Sequence, residues 1–315
     1  MTSSRTPSAS RSKHLTAFTL VELLVAISVL AVLMSLVLQL MGSATRLTST
    51  SRQASDSDTE ARYALNQIAS DLIHRIRRQD VSAFVDKKPG NDRFFLFSET
   101  PGYAPNLDPA LVGNISLVGY RVHEEPKRFV LQRYARALPM GTGVPGEKPM
   151  PYVLMSQPPN PAPIPTTTLS GAFPTIASDD TSEDNFYQTI AENVARMEVC
   201  LIKKSSVIAP DGDQAKAAAV MLSDDEIQPE LDQYGFTRIQ SIVITIAIMD
   251  PQNMVRTNTE NVKTFFSSDT FDGKPSAEGI KLPLETWNRE LVSQSDKLAR
   301  PILNGVRFYQ RIINL

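Results

Sequence analysis

The chain has 315 residues, a formal net charge of −2, and 32 Lys and Arg residues against 34 Asp and Glu residues. Proteins that bind nucleic acid normally show a basic face, so this balance argues against nucleic acid as a partner. The only cysteine, Cys200, excludes an internal disulfide, so the core alone must hold the fold. Cys200 lies in an apolar run and is interpreted as a small buried hydrophobic residue.

The first predicted element is an apolar helix over residues 18–41, 24 residues with Glu22 as their single ionisable group. At about 1.5 Å per residue it would be roughly 36 Å long, enough to cross a bilayer core of about 30 Å. Basic residues precede it without any acid (Arg5, Arg11 and Lys13). By the positive-inside rule, the amino terminus is therefore cytoplasmic and the chain after Gly42 lies outside.

Glu22 needs a partner, because a carboxylate at membrane depth costs about 2.5–3.5 kcal/mol on insertion scales. Cleavage between Ala17 and Phe18 would create a new α-amine four residues before Glu22. With a reference pKa of about 7.7–8.0, this amine would be mostly protonated near neutral pH. Paired with Glu22 of the same or a neighbouring chain, it would neutralise the buried charge.

A basic leader followed by Phe18-Thr19-Leu20-Val21-Glu22 at the start of an apolar helix resembles the leader of type IV pilins and pseudopilins. The resemblance implies that a prepilin peptidase cuts between Ala17 and Phe18, that the new amine is methylated, and that Glu22 guides filament assembly. The family usually has glycine where this chain has Ala17. Alanine is the smallest replacement, so cleavage is expected to survive.

The resemblance also implies the partners and the location. The partners would be other pilin-like subunits, a prepilin peptidase, an inner-membrane assembly platform and membrane lipid. The protein would cross the inner membrane once, with its carboxyl-terminal domain in the periplasm.

Two other interpretations of the apolar segment remain open. One is a secretory signal peptide cut near residues 41–44, although the apolar run is longer than such signals have. The other is an uncleaved anchor, which leaves Glu22 unexplained.

Residues 42–80 are predicted to continue the helix to about Gln79, since no proline occurs between Pro7 and Pro89. The Ser/Thr-rich residues 43–57 are expected to bend or fray. From Ala61 onward, apolar residues recur at helical spacing and form one stripe (Ala61, Leu65, Ile68, Leu72 and Ile76). This stripe is suited to packing on a sheet. Arg75 is among the residues predicted on the opposite side of the helix.

Residues 81–315 are predicted to form an antiparallel β domain. Strands are expected at 93–98, at 116–123 and 128–134 as a hairpin, and at 196–202, 240–249 and 302–315. A helical or turn section is expected to start at Ile190. The Ile-rich strand 240–249 should lie inside a sheet. In the last strand, the inward side chains would be Val306, Phe308 and Ile312. The Pro-rich segment 138–174 is interpreted as a loop over the domain or as an exposed contact segment for another subunit.

The remaining segments are expected to be mostly loops. A short Ala-rich helix is predicted at 214–222 within the acidic residues 211–233. The acids at 211–213 and 224–226 suggest calcium, but no complete twelve-residue loop is present, so they are interpreted as solvated loop acids. Glu124 and Glu125 are likewise interpreted as solvated turn residues. Residues 251–300 are predicted to be a polar loop that Trp287 anchors to the core.

No catalytic motif is found, so neither an enzyme nor a cofactor or metal is expected. The histidines, His14, His74 and His123, lack metal-ligand spacing, and no phosphate-binding or dinucleotide motif occurs. The predicted fold class is α+β: a long N-terminal transmembrane helix continuing into a pilin-like antiparallel sheet domain.

The predicted function is that of a minor pseudopilin in a type II secretion or type IV pilus-like filament. The outline resembles J-type minor pseudopilins, and the ending VRFYQRIINL resembles the Verru_Chthon cassette protein C family. The alternative is a membrane-anchored periplasmic binding or enzymatic domain with a prepilin-type leader. A competence pseudopilin that handles DNA is disfavoured by the acidic balance.

Overall fold

A computed structural model describes residues 19–77, 81, 83–88, 90–103, 112–139, 186–204, 219–251, 259–267, 271, 281–293, 303 and 305–315. The chain divides into two compact units, Met1–Gln53 and Ala54–Leu315. The leader 1–17, Phe18 and most of the Pro-rich segment 138–174 lie outside the described residues. The chain is α+β, with a long N-terminal apolar helix followed by antiparallel sheets, as the sequence predicts.

The first helix, α1, runs from Leu20 to Ile73. It is unbroken through the Ser/Thr-rich stretch, so the fraying expected at 43–57 is not observed. Hydroxyls in this stretch donate to backbone carbonyls four residues earlier at 2.8–2.9 Å, which leaves the helical hydrogen bonds in place (the donors are Ser43, Thr45 and Thr48).

The predicted helix end near Gln79 is wrong, because α1 ends at Ile73. Past this point the backbone bonds to a strand instead of to the preceding turn: the Ile76 N–H donates to the Phe97 carbonyl at 3.0 Å. The expected exposure of Arg75 is wrong for the same reason. Its side chain is buried and donates to the Leu72 carbonyl at 3.0 Å. No glycine or proline in the sequence marks this end.

Five strands form the first sheet, in the order β1-β2-β3-β4-β5, with every neighbouring pair antiparallel. They are β1 (Phe84–Asp86), β2 (Arg93–Ser98), β3 (Val112–Glu125), β4 (Arg128–Pro139) and β5 (Tyr187–Glu192). The predicted strand 93–98 and the predicted hairpin are confirmed. Lys127 adopts a positive φ of 75° at the hairpin turn. Strand β5 replaces the helical or turn section expected from Ile190.

The second sheet has the order β7-β6-β8-β9 and is also antiparallel. Its strands are β6 (Val194–Lys204), β7 (Ala219–Met221), β8 (Ile239–Met249) and β9 (Val306–Asn314). Strand β8 lies between β6 and β9, so the predicted interior position is confirmed. Because β8 is Ile/Val-rich on both faces, it packs into clusters on both sides of the sheet.

The described residues contain three further helices: α2 (Asp224–Tyr234), α3 (Thr259–Phe266) and α4 (Pro283–Ser293). They correct the loops predicted at 224–233 and 251–300. The Ala-rich helix predicted at 214–222 is wrong at 219–222, where β7 forms and Leu222 follows it, and residues 214–218 lie outside the described residues. The N–H and hydroxyl of Ser223 donate to Glu226 at 3.0 and 2.8 Å, which caps α2. Trp287 is fully buried on α4, which confirms its packing into the core.

The largest core cluster joins the end of α1 to both sheets. Four of the five predicted stripe residues are buried in it (Ala61, Leu65, Ile68 and Leu72), and Ile76 is not among them. They pack with apolar side chains of β2, β3, β6 and β8. Val306 and Phe308 pack into a second cluster. Ile312, predicted to point inward, is 49% exposed, and its neighbour Ile313 is buried instead.

Candidate functional site

The surface of α1 between Leu20 and Met41 is the most unusual feature of the described residues, and it is called here the apolar helix surface. Its large apolar side chains are 50–79% exposed. Exposed apolar areas larger than a few hundred Å² mark sites that contact a membrane or another protein. The hydroxyls of Ser28 and Ser35 donate to backbone carbonyls of α1 at 2.8 Å, so these polar groups are satisfied within the helix.

This helix is the only described one that is long and apolar enough to cross a membrane. A membrane anchor requires this length and composition, and a signal sequence near an amino terminus meets the same criterion.

Glu22 is held at the start of α1 by Thr19. The Thr19 hydroxyl and backbone N–H donate to Glu22 Oε2 at 3.3 and 3.5 Å, and the Glu22 N–H donates to the Thr19 hydroxyl at 3.2 Å. This is a capping box, in which a carboxylate lies near the positive end of the helix dipole. The pattern T-x-x-E is visible in the sequence, but sequence reasoning assigned Glu22 only to assembly.

The cap leaves the charge of Glu22 without a cation. In the part of the chain that the structure describes, no Lys, Arg or His pairs with its carboxylate. Ala17 and Phe18 lie outside the described residues, so the predicted pairing of Glu22 with a Phe18 amine stays a prediction.

A buried polar cluster, called here the Asp71 cluster, lies where α1 packs on the first sheet. Asp71 is fully buried and accepts two hydrogen bonds from Arg133, at 2.7 and 3.0 Å, and one from the Tyr120 hydroxyl. Burial is the main cause that raises the pKa of Tyr120, and the Asp71 carboxylate adds to it. Sequence reasoning missed this cluster. The signal in the sequence for this cluster is Asp71 itself, an acid three residues after Ile68 on the core-facing side of the predicted helix.

A second buried group, called here the Lys87 cluster, consists of Lys87, Asp92 and Glu198. The Lys87 Nζ lies 2.6 Å from Asp92 Oδ2 and 3.9 Å from Glu198 Oε1, and it donates to the Val199 carbonyl at 3.2 Å. Burial raises the pKa of Asp92 to about 7, although Lys87 acts against it. Burial would lower the pKa of Lys87, but the surrounding acids outweigh that effect and raise it.

The thiol of Cys200 is part of the surroundings of the Lys87 cluster. It is buried and lies 3.7 Å from Glu198 Oε1, and burial raises its pKa well above the ordinary value. A thiol with a raised pKa carries little thiolate, so the prediction that Cys200 acts as a small buried residue is confirmed.

A cleft of about 300 Å³ opens between the β3–β4 turn, the residues before β2, and α3. Both cationic and apolar side chains line it, together with His123 and Glu124 (Lys88, Arg93 and Lys263; Val122, Phe129 and Phe266). Lys263 pairs with Glu124 at 3.1 Å, and Arg128 pairs with Glu125 at 2.6 Å. The two turn acids predicted to be only solvated therefore each have a cationic partner.

The sequence suggests calcium at two groups of acids. Those at 224–226 occupy the first turn of α2, and those at 211–213 lie outside the described residues. No group of three or more His, Cys, Asp or Glu side chains is arranged to hold a metal ion in the described ranges. The expectations that the chain is not an enzyme and holds no metal stay predictions.

Comparison with known proteins gives a similarity among solved structures only. A scan against protein-family models finds no match. A search of curated proteins finds none either. Among solved structures, the chain is similar to a type IV-like pilin from Thermus thermophilus, at 11% identity and a TM-score of 0.32, over 82% of this chain and 95% of that one. A TM-score this low supports no conclusion about function. The function proposed below is therefore argued from the residues of this chain.

Proposed function

We propose that this chain is a pilin-like subunit, stored in the membrane and assembled into a filament through the apolar helix surface. The observation that carries the proposal is a 54-residue helix whose first part is apolar, exposed on all sides and marked by one acid. Lipid can cover this surface in the stored state, and the helices of neighbouring subunits can cover it in a filament. A simple anchor would explain the apolar residues but not Glu22.

Glu22 is proposed to fix the position of a subunit in the filament. Its carboxylate lacks a cation among the described residues and bonds to Thr19, the residue that follows Phe18 in the sequence. An opposite charge on the same or an adjacent helix would neutralise it. The finer assignments follow from the leader: cleavage between Ala17 and Phe18, methylation of the new amine, and a minor pseudopilin role in type II secretion or a type IV pilus-like system.

The test separates the charge of Glu22 from its capping role. Glu22→Gln keeps a side-chain oxygen that can accept the Thr19 hydrogen bonds but removes the charge, and Glu22→Ala removes both. Both variants are expected to lose incorporation into sheared filaments or to lose secretion. The second compact unit, Ala54–Leu315, is called here the outer domain. It should stay folded in both variants, as measured by protease resistance.

Thr19→Val provides the matched control, because it removes the hydroxyl of the cap and keeps the carboxylate. It is expected to assemble. If Glu22→Gln assembles like the parent chain while Glu22→Ala and Thr19→Val do not, Glu22 is only a helix cap and the assembly role is wrong. Mass spectrometry of the membrane-extracted protein tests processing separately: an intact Met1 start with an active peptidase contradicts the cut at Phe18.

A second candidate function is a membrane-anchored binding domain, which the 300 Å³ cleft favours. Cationic and apolar side chains line this cleft, which suits a small anion that has an apolar part. Under this alternative, changes at Glu22 leave the activity of the protein unchanged, whereas acidic substitutions at Lys88 and Lys263 abolish it. Under the filament proposal the outcomes are reversed.

A further inference from the structure

The Lys87 cluster brings an amine and a carboxyl into reacting distance inside the domain. Lys87 follows β1 and Asp92 precedes β2, so the pair closes the connection between two neighbouring strands. The side chains are 12% and 5% exposed, and their Nζ and Oδ2 atoms are 2.6 Å apart. With the two groups this close, a rotation of the carboxyl group would bring its carbon within the near-attack range of about 3–3.5 Å from Nζ.

We propose that Lys87 Nζ and Asp92 Cγ join in an intramolecular amide bond, with Glu198 as the proton acceptor for the reaction. This isopeptide bond would be an autocatalytic modification that needs no cofactor. It is independent of the filament function proposed above.

The step is a condensation that releases one water. The ammonium of Lys87 gives one proton to the Glu198 carboxylate, and the neutral amine attacks Cγ of protonated Asp92. The Nζ–Cγ bond forms while the bond from Cγ to one carboxyl oxygen breaks. That oxygen leaves as water, carrying the proton of Asp92 and a second proton from the amine. The third amine proton stays on the amide, and Glu198 later releases its proton to solvent.

Each neighbour of the pair suits this chemistry. The backbone N–H of Val199 donates to Asp92 Oδ2 at 2.7 Å, where it would stabilise negative charge on the oxygen that stays. Burial keeps a substantial share of Asp92 in the acid form near neutral pH, because it raises the pKa to about 7. The same burial keeps out water, which would otherwise favour hydrolysis over condensation.

Glu198 is held in place for the proton transfer. Its Oε2 accepts a hydrogen bond from the Trp287 indole at 3.2 Å and lies 3.5 Å from Arg196 Nη2, while its Oε1 lies 3.9 Å from Lys87 Nζ. Asp224 Oδ1 lies nearer to Nζ, at 3.6 Å, but the Asp224 side chain is 42% exposed, whereas Glu198 is buried. The raised pKa of Lys87 means that its ammonium must lose a proton before attack, and Glu198 is a buried carboxylate beside it. Glu198 is needed to remove this proton from Lys87 Nζ.

The bond would close the β1–β2 connection beside the second sheet. Asp92 already donates its backbone N–H to the Met197 carbonyl at 3.1 Å, and its side chain accepts from Val199. An amide at Asp92 would therefore fix the β1–β2 connection at a residue that already bonds to β6. The closed loop is short, so the gain is expected mainly in resistance to local opening.

The experiment is peptide mapping of the folded full chain by mass spectrometry. Trypsin does not cleave after an acylated lysine, and Lys88 is followed by Pro89, which also blocks cleavage. Linked protein therefore yields the peptide 79–93 lighter by one water. Unlinked protein yields the separate peptides 79–87 and 88–93. Complete or nearly complete linkage is expected in the parent chain, and finding only the separate peptides overturns the proposal.

Three variants identify the bond. Lys87→Arg keeps the charge but removes the nucleophile, and it should abolish the loss of water. Glu198→Gln should lower the linked fraction at least tenfold. Lys88→Arg is the matched control, because Lys88 pairs with Asp86 at 3.2 Å but is 50% exposed; it should link like the parent chain.

Two results would contradict these assignments. A loss of water that persists in Lys87→Arg would come from a succinimide at Asp92 and would refute the lysine bond. Full linkage in Glu198→Gln would refute the role of Glu198. Since the measurement on the parent chain decides whether the bond exists, a variant that fails to fold does not remove the test.

Discussion

The two ends of α1 are both helical and both rich in apolar residues, yet their surroundings are opposite. Between Leu20 and Met41 the apolar side chains cover all sides and are exposed. Between Ala61 and Leu72 they form one stripe that is buried in the core. The comparison shows that the helix itself does not decide the role of a segment. The distribution of apolar residues around the helix decides whether the same chain or an outside partner covers it.

The acids of the two ends differ in the same way. Asp71 has a cation of its own chain, Arg133, with two hydrogen bonds to it. Among the described residues, Glu22 has no cation and accepts hydrogen bonds from Thr19, the residue of its own cap. A buried acid with an internal partner stabilises one folded domain, whereas an acid without one is available to a partner outside the chain.

The largest expected effect comes from breaking the Asp71 cluster. Asp71→Ala leaves the guanidinium of Arg133 and the hydroxyl of Tyr120 buried without their acceptor. Losing one partner of a buried pair costs about 3–5 kcal/mol. The free energy of unfolding, measured with urea on the outer domain, should fall by that amount.

Asp58→Ala is the matched control on the same helix. Asp58 and Arg62 form an exposed pair at 2.9 Å, which is worth about 0–1 kcal/mol. An equal loss in both variants would mean that Asp71 is not held as the structure shows.

A smaller effect is expected from placing a charge in the apolar helix surface. Leu30→Lys puts an ammonium in the middle of the segment, which costs about 2.5–3.5 kcal/mol in membrane insertion. An insertion assay should show reduced integration, while unfolding of the outer domain stays unchanged. Leu47→Lys changes an exposed leucine of the same helix beyond Met41 and should insert normally. Equal insertion of both variants would argue against a membrane role.

The sequence could predict the elements whose pattern is local. The stripe at 61–72, the hairpin and the buried strand β8 each have an apolar period that indicates both the element and its buried face. The end of α1 could not be predicted in this way. It depends on backbone bonds from residues after Ile73 to the strand that ends at Ser98, which are contacts distant in sequence.

The missed helices and clusters have two different causes. The cap Ser223-x-x-Glu226 is readable in the sequence, but from the sequence these acids are interpreted as solvated loop residues. The partners of Asp71 and Lys87 were not readable, because Arg133 and Glu198 lie 62 and 111 positions away and nothing local connects them. For Glu22 the charge pattern was enough to propose a role, and its cap was visible in the same residues.

The smallest expected effect compares the two caps. The pattern Ser/Thr-x-x-Glu opens both α1 and α2, but only α2 has buried residues of the domain in its next turns, Ile227 and Leu231. Ser223→Ala should therefore lower the free energy of unfolding by about 1 kcal/mol, the usual loss for a cap. Thr19→Val should leave the unfolding of the outer domain unchanged, since Thr19 belongs to the other unit.

The effect at α2 should depend on pH. The N–H of Ser223, followed by its hydroxyl, lowers the pKa of Glu226 below its ordinary value of 4.5. A carboxylate with a lowered folded-state pKa stabilises fully above its unfolded value and loses this contribution as the pH falls through the folded one. The difference between the parent chain and Glu226→Gln should therefore be complete at neutral pH and shrink in urea titrations below about pH 4, since glutamine has no charge to lose. A difference that stays constant with pH would show that the charge of Glu226 does not take part in the cap.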